Sequence, residues 1–280
     1  MIEQPFIFIA GHHRSGTSLL CAIIRDHPLV SGLSNTGVPE DEGQHLQTVF
    51  KPAQAYGGPG KYIFDKDSHM DENHVLANSQ SAATIFHDWS HFYDPECHYY
   101  VEKSPPNLVK TRFLQKLFPN SKFLVIYRHP IAVAYATQKM LAKWRHATKR
   151  SVPSIRSLVE HSLRGYETFM QDAPHLRNLF VIRYEDFIAT PQTTANRICA
   201  FLALDEIQVR RVIHSHINNT YFSKWWDDRS KFWNRMYFPV DKNLEQRANK
   251  IGYSMKSPAN LLDPAILGVH SNQLNPLGPS

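Results

Sequence analysis

The run Phe6-Ile7-Phe8-Ile9-Ala10-Gly11-His12-His13-Arg14-Ser15-Gly16-Thr17-Ser18-Leu19-Leu20 constrains this chain more than any other stretch. Its five leading apolar residues do not alternate with polar ones, the pattern of a strand buried on both faces of a parallel sheet. A short glycine-containing loop follows, and then an apolar helix begins. The same strand-then-helix order recurs downstream. Strands are expected at Phe6 to Ala10, Tyr99 to Glu102, Phe123 to Tyr127 and Leu179 to Arg183. Helices are expected at Thr17 to Asp26, Asp71 to Phe92, Asn107 to Leu117, Ile131 to Lys143, Pro153 to Asp172, Pro191 to Leu202 and Asp205 to His216. Strands followed by helices predict an α/β fold: a parallel β-sheet flanked by helices on both faces. Residues 1–253 read as a single domain, and residues 254–280, rich in proline and poor in periodicity, as an extended tail lying on its surface.

A chain of 280 residues with 42% hydrophobic content can build one sizeable core, which excludes disordered, collagenous and low-complexity classes. No apolar run approaches the roughly 18 residues of a membrane span, and Met1 to Gln4 form neither a basic leader nor a cleavage site, so a cytoplasmic protein is expected. Cys21, Cys97 and Cys199 are too few and too scattered for a disulfide framework or a zinc site, and the 16 histidines show no ligating spacing; no metal is expected. The net charge of +6 hides an asymmetry. Residues 103–159 carry twelve Lys and Arg and no acid, leaving 19 basic against 25 acidic residues elsewhere. Such a segment concentrates anionic ligands, although Lys143, Arg145, Lys149 and Arg150 also read as an ordinary solvated helix face.

Ligands of parallel α/β sheets bind beyond the carboxyl ends of the strands. The first such place, Gly11 to Ser18, copies the spacing of the phosphate loop GxxxxGK[ST], with free backbone N–H groups and a helix N-terminus facing an anion. Thr17 stands where that motif has its lysine, and the cation comes three residues earlier as Arg14. The second place is Tyr127-Arg128-His129-Pro130, where a guanidinium leaves a buried strand beside another helix start, suited to a terminal phosphate. At the third, Arg183-Tyr184-Glu185-Asp186-Phe187, a ring and two carboxylates reach the same sheet edge, and the carboxylates serve equally well as helix caps.

Together these three motifs, HRSGTSLL, RHP and RYEDF, resemble the sulfotransferases that use 3′-phosphoadenosine 5′-phosphosulfate (PAPS). The resemblance runs from about Phe6 to Leu204 and is closest to the group that includes protein-tyrosine and many bacterial sulfotransferases. Val101-Glu102-Lys103-Ser104-Pro105-Pro106-Asn107 and Leu117-Phe118-Pro119-Asn120-Ser121-Lys122-Phe123 add to it. It implies that Arg14, Ser15, Gly16, Thr17 and Ser18 hold the 5′-phosphosulfate, that Arg128 contacts the 3′-phosphate, that Tyr184 lies near the adenine, and that PAP is the product. The family's serine eight residues after the arginine is here Ala136, with Thr137 beside it as a substitute. Tyr221-Phe222-Ser223-Lys224-Trp225 is similar to a segment closing over the nucleotide. Lys103 matches the lysine that meets the bridging oxygen, and no metal is needed where there is no β- or γ-phosphate to clamp.

An acceptor hydroxyl requires a base, and the family's acidic position falls here near Ser34-Asn35-Thr36. The nearest carboxylates lie in Pro39-Glu40-Asp41-Glu42-Gly43-Gln44-His45, where Glu42 ranks first, Glu40 second and His45 third. Gly43 is expected to turn the backbone so that Glu42 points inward. An acidic cluster after a proline also suits a helix start, so base and cap stay open. The acceptor, a tyrosine, sugar, lipid or small metabolite, stays open too. The aromatic stretch Tyr221 to Phe238 reads as core packing or, less directly, as an apolar acceptor site. The rivals are a phosphoryl-transferring kinase, which Thr17 disfavours, and a binding protein for nucleic acid or polyanions. The latter calls for exposed aromatics, whereas Tyr127, Tyr135 and Trp144 read as core.

Overall fold

A computed structural model describes residues 2–148, 151–213 and 216–263. In chain order the elements are β1 (Phe6–Gly11), α1 (Thr17–Ile24), β2 (Val30–Gly32), α2 (Ser79–Ser90), β3 (Tyr99–Lys103), α3 (Thr111–Leu117), β4 (Lys122–Tyr127), α4 (Pro130–Thr148), α5 (Ile155–Asp172), β5 (Leu179–Arg183), α6 (Tyr184–Ala189), α7 (Pro191–Leu202), α8 (Ile217–Ser230), α9 (Phe232–Tyr237) and α10 (Lys242–Lys250). The five strands form one sheet in the order β2-β3-β1-β4-β5, and every pairing is parallel.

The central strand β1 is buried along its whole length. Phe6, Phe8 and Ala10 face one apolar cluster with Trp89 of α2, Phe113 and Leu114 of α3, and Tyr166 and Phe169 of α5. Ile7 and Ile9 face a second cluster with Leu20 and Ile23 of α1 and Ile198 and Leu202 of α7. Each fully buried side chain of this size contributes roughly 1.5–3 kcal/mol, which is why a strand without polar alternation sits at the centre and not at an edge. The expected α/β architecture with helices on both faces is what the chain adopts.

Several elements differ from the sequence expectation. The helix expected from Asp71 begins only at Ser79, capped by Asn78, whose side chain accepts from Ser81 N. Before it, Asp71 accepts from Asn73 N and the His74 ring from Leu76 N, local bonds that compete with helix. The helix expected at Asn107 begins at Thr111, after a short 3-10 turn. No helix forms over 205–213. There the Gln192 side chain, from α7, donates to Ile207 O and accepts from Val209 N, satisfying an extended backbone instead. The expected end of that helix falls partly on residues 214–215, outside the described ones. The tail is attached as far as it is described: Ser254 and Met255 are buried and Tyr253 bridges Leu261 in antiparallel fashion. Residues 264–280 lie outside the described ones. Among the described residues no helix is long and apolar enough to cross a membrane.

Candidate functional site

The carboxyl ends of β1, β3, β4 and β5 converge on one edge, and each delivers one part of the site. After β1 the chain turns through Arg14, at φ +70°, and Gly16, at φ +106°, into α1. Gly16 has a second reason to lack a side chain: a Cβ there would sit 2.7 Å from the Tyr184 ring. Ser15 N donates to His12 O, while the N–H groups of Gly16, Thr17 and Ser18 meet no acceptor among the described residues. Ser15 Oγ is buried and also lacks a partner. Arg14 is exposed at the mouth. The loop thus presents an array of donors at a helix N-terminus, the chemistry of an anion cradle.

At the end of β4, Arg128 is almost wholly buried. Its Nε and Nη2 donate to Asn218 Oδ1 at 2.9 and 2.6 Å and its Nη1 to Arg14 O at 2.8 Å, while the guanidinium lies 4.1 Å from the centre of the Tyr184 ring. Tyr166 Oη accepts from Arg128 N, pinning the strand end. Asn218, from α8, passes the order on: its Nδ2 donates to Glu185, which also accepts from His129 N and Tyr253 Oη. Glu185 is therefore a buried hub and more than a helix cap; its burial raises its pKa. Asp186 pairs with Arg183. Nothing in the sequence pattern pointed to Asn218. Thr137 is buried in the wall of a small cavity with His12, His13 and His161, and no hydrogen bond joins it to Arg128 among the described residues.

The end of β3 carries the third part. Lys103 Nζ donates to Glu42 Oε1 at 3.1 Å and to Glu40 O at 3.2 Å. Both charged side chains are only 7% exposed. Glu42 Oε2 accepts from Gln44 Nε2 at 2.6 Å. Burial raises the Glu42 pKa against the opposing pull of Lys103 and Gln44. One residue earlier on the strand, buried Glu102 faces the opposite way and accepts from Gly43 N, Ser104 Oγ and Asn107 Nδ2, with its pKa pushed up by burial to about 7. Consecutive loop residues therefore meet consecutive strand residues that face opposite ways: Glu42 meets Lys103, and Gly43 meets Glu102. Trp89 Nε1 closes the clasp on Gly43 O.

Gly43 is needed for close approach and not for a sharp turn. Positive φ falls at Glu40 and Asp41, not at Gly43. A Cβ at 43 would lie 2.7 Å from Glu102 Cγ, so glycine is required by close approach. Glu40 is exposed, and only its carbonyl touches Lys103. His45 Nε2 stands 4.0 Å from Glu42, beyond hydrogen-bond reach, and its pKa is lowered by burial and then by Lys103. The sequence assigns Glu102 no role of its own, although a lone glutamate after the apolar run Tyr99-Tyr100-Val101 is a signal. A cavity of about 140 Å³, lined by Ser18, Glu40 and Lys103 among others, lies between the end of the phosphate loop and Lys103. Among the described residues no group of three or more His, Cys, Asp or Glu is placed to hold a metal ion.

Donors at a helix start, a locked guanidinium against a ring, and a buried lysine–carboxylate pair converge at one sheet edge. A family model described as the sulfotransferase family matches residues 5–208. The chain belongs to the sulfotransferase family. Protein-tyrosine sulfotransferase 2 of Gallus gallus is 32% identical over 126 residues, 45% of this chain and 32% of the relative. Protein-tyrosine sulfotransferase 1 of Danio rerio is 23% identical over 201 residues, 71% of this chain and 53% of the relative. The chain spans about half the length of these curated relatives, or less. Among solved structures, the sulfotransferase domain from the curacin biosynthetic pathway superposes with a TM-score of 0.51 at 18% identity, covering 89% of this chain and 97% of that one. The sulfotransferase domain of the Synechococcus PCC 7002 olefin synthase gives 0.51 at 18%, covering 90% and 95%. Both likenesses concern the fold, the sulfotransferase fold expected from the motifs.

Proposed function

We propose that residues 1–253 act as a single PAPS-dependent sulfotransferase domain that moves a sulfuryl group to an acceptor hydroxyl without a metal. Family membership supports the donor, and the residues fit it. The unpartnered N–H groups of Gly16, Thr17 and Ser18, with Arg14, suit a 5′-phosphosulfate; Arg128 suits a 3′-phosphate; Tyr184 offers a ring for the base. Thr137 stays in the wall beside the phosphate loop, and Arg128 is held by Asn218 at its side chain and by Tyr166 at its backbone. When bound, the nucleotide supplies an activated sulfuryl group on a phosphate leaving group.

The observation that carries the reading is the buried Glu42–Lys103 pair beside the phosphate loop. Glu42 is the base: a carboxylate whose pKa burial has raised is a better proton acceptor near neutrality than an exposed one. Two of the three Lys103 donors are used, on Glu42 and on Glu40 O, and the third is available to charge developing on a leaving oxygen. As Glu42 takes the acceptor's proton, Lys103 loses its counter-charge, and its cation acts more fully on that oxygen. Glu40 and His45 take no part in proton transfer. Three free cysteines suit the reducing cytoplasm, where we place the protein.

A thermal-shift comparison tests the donor. PAP alone should stabilise the protein, ATP with Mg²⁺ and a DNA oligomer should not, and PAPS should yield PAP in the presence of an acceptor. Stabilisation by ATP with Mg²⁺ and none by PAP would make this a kinase-like protein; a response to DNA alone would make it a polyanion binder.

A further inference from the structure

The core-facing and solvent-facing aromatics sort in an unexpected way. Tyr127 and Tyr135 are buried, as expected, but Trp144 of α4 is 43% exposed. It lines a cleft of about 380 Å³ with Leu141, Pro39, Pro59, Pro153 and Lys61. Three prolines, a leucine and an indole give the cleft an apolar wall, and the Lys61 ammonium is turned to Ser151 Oγ.

The cleft lies next to the phosphate loop, on walls that neighbouring residues of the same elements build for a small cavity there. Val133, Thr137, Leu141 and Trp144 follow one another at steps of four, four and three, so they share one face of α4. The inner two line the small cavity with His12 and His13 of the phosphate loop; the outer two line the cleft. The opposite wall is shared in the same way: Gly60 belongs to the small cavity and its neighbours Pro59 and Lys61 to the cleft. At the near edge Pro39 stands three residues before Glu42 on the same loop. The seven steps from Thr137 to Trp144 span about 10 Å of helix.

On the footing of sulfuryl transfer at Glu42, we infer that this cleft binds the acceptor, and that the acceptor is a hydroxyl compound with an apolar, ring-containing body of about that length. Gln54 and Ser151 are the uncharged polar side chains of the lining, too few for the several hydroxyls of a sugar, each of which costs roughly 1–3 kcal/mol when buried unpaired. An acidic peptide would meet a single cation, Lys61, already engaged at the rim. With the acceptor's hydroxyl at the Pro39 edge, Glu42, three residues further along that loop, takes the proton as the acceptor oxygen bonds to sulfur and the bond from sulfur to the phosphate oxygen breaks, releasing PAP.

The test uses the full chain with PAPS and three probes: 4-phenylphenol, N-acetylglucosamine and an acidic tyrosyl peptide, with PAP release as readout. 4-Phenylphenol should show a kcat/KM at least tenfold above the other two. Leu141→Asp, at a half-buried position, should raise the KM for 4-phenylphenol about ten- to a hundredfold, in keeping with the discrimination a pocket contact provides. Its kcat and the stabilisation by PAP should stay near those of the parent. Trp144→Ala should act in the same direction. Faster turnover of the sugar or the peptide, an unchanged KM in both variants, or PAP binding with no turnover of 4-phenylphenol each overturns the acceptor inference and leaves the donor reading intact. Absence of PAP stabilisation in the unsubstituted protein overturns the donor reading, and the acceptor inference with it.

Discussion

Separating Glu42 from Lys103 has consequences for both stability and chemistry, and the two can be measured apart. The groups are 3.1 Å apart and 7% exposed, so solvent screens them little. Burial raises the Glu42 pKa despite the nearby cation, so at the carboxylate desolvation outweighs the attraction. Each partner keeps the other from being a lone buried charge. Glu42→Gln leaves Lys103 with amide and carbonyl oxygens only, and Lys103→Met leaves Glu42 without its cation. Each should cost about 2–4 kcal/mol in urea unfolding at pH 8. Glu42→Gln/Lys103→Met removes both charges and should cost less than the sum of the single changes by at least about 1.5 kcal/mol. The Lys103→Met deficit should shrink toward pH 5. A carboxyl whose folded pKa is raised contributes stability that is present below its unfolded value and lost as pH rises through the folded one, and removing Lys103 raises that pKa further. Glu42→Gln should also lower kcat about a hundredfold while leaving stabilisation by PAP nearly unchanged. Strictly additive losses, with a coupling below about 0.5 kcal/mol, would refute the buried pair. A kcat within threefold of the parent would refute Glu42 as the base.

Other consequences of the geometry are open to direct measurement. Glu102, pushed from 4.5 to about 7, should cost the fold about 3 kcal/mol of stability as pH rises from about 4.5 to about 7; Glu102→Gln should flatten that slope in pH-dependent unfolding. Gly16→Ala places a Cβ against the Tyr184 ring at a positive φ, so stabilisation by PAP should disappear, and a retained shift would show that the loop tolerates a side chain. Arg128→Ala and Asn218→Ala should each weaken PAP affinity, the first by about ten- to a hundredfold; an unchanged affinity in Asn218→Ala would mean that Arg128 holds its pose without α8. Turnover should survive EDTA, and its restoration by Mg²⁺ after loss would refute metal-independent transfer.

The central sheet was legible because its strands are unalternated apolar runs with no other way to be buried. β2 was not: Val30–Gly32 is three residues long, and its pairing to β3 is imposed by the chain's route, not by its composition. The segment after Asp205 misled for the opposite reason. Its acidic start and spaced apolar residues read as a helix, but Gln192, distant in sequence, satisfies its backbone, and Ile207 and Val209 pack on the second cluster in extended form. The stretch Tyr221 to Phe238 read as core, yet Trp226, Phe232, Trp233, Met236 and Tyr237 are exposed and only Trp225 is deeply buried. Composition alone does not tell which face of two short helices has something to pack against. In the site, Arg14, Lys103 and Arg128 were visible as cations at strand ends, whereas Asn218 and Glu102 act through folded contacts that no local spacing encodes.

The absent phosphate-loop lysine is explained by the register of the sheet. Ile9 of β1 pairs with Lys103 of β3, so the ammonium rises from a neighbouring strand at the level where β1 enters the loop. A lysine at position 17 would come from within the loop and reach outward along the ligand; one on β3 approaches from the side, where the Pro39 to Glu42 segment also arrives. That lateral placement is what brings the cation within 3.1 Å of a carboxylate and couples the two groups. It also makes the chemistry depend on a single register. Side chains alternate along a strand, so a slip of one residue between β1 and β3 would exchange Lys103 for Glu102 and turn the loop's anchor toward the phosphate loop. The clasp of Gly43, Ser104, Asn107 and Trp89 around the strand end opposes that slip.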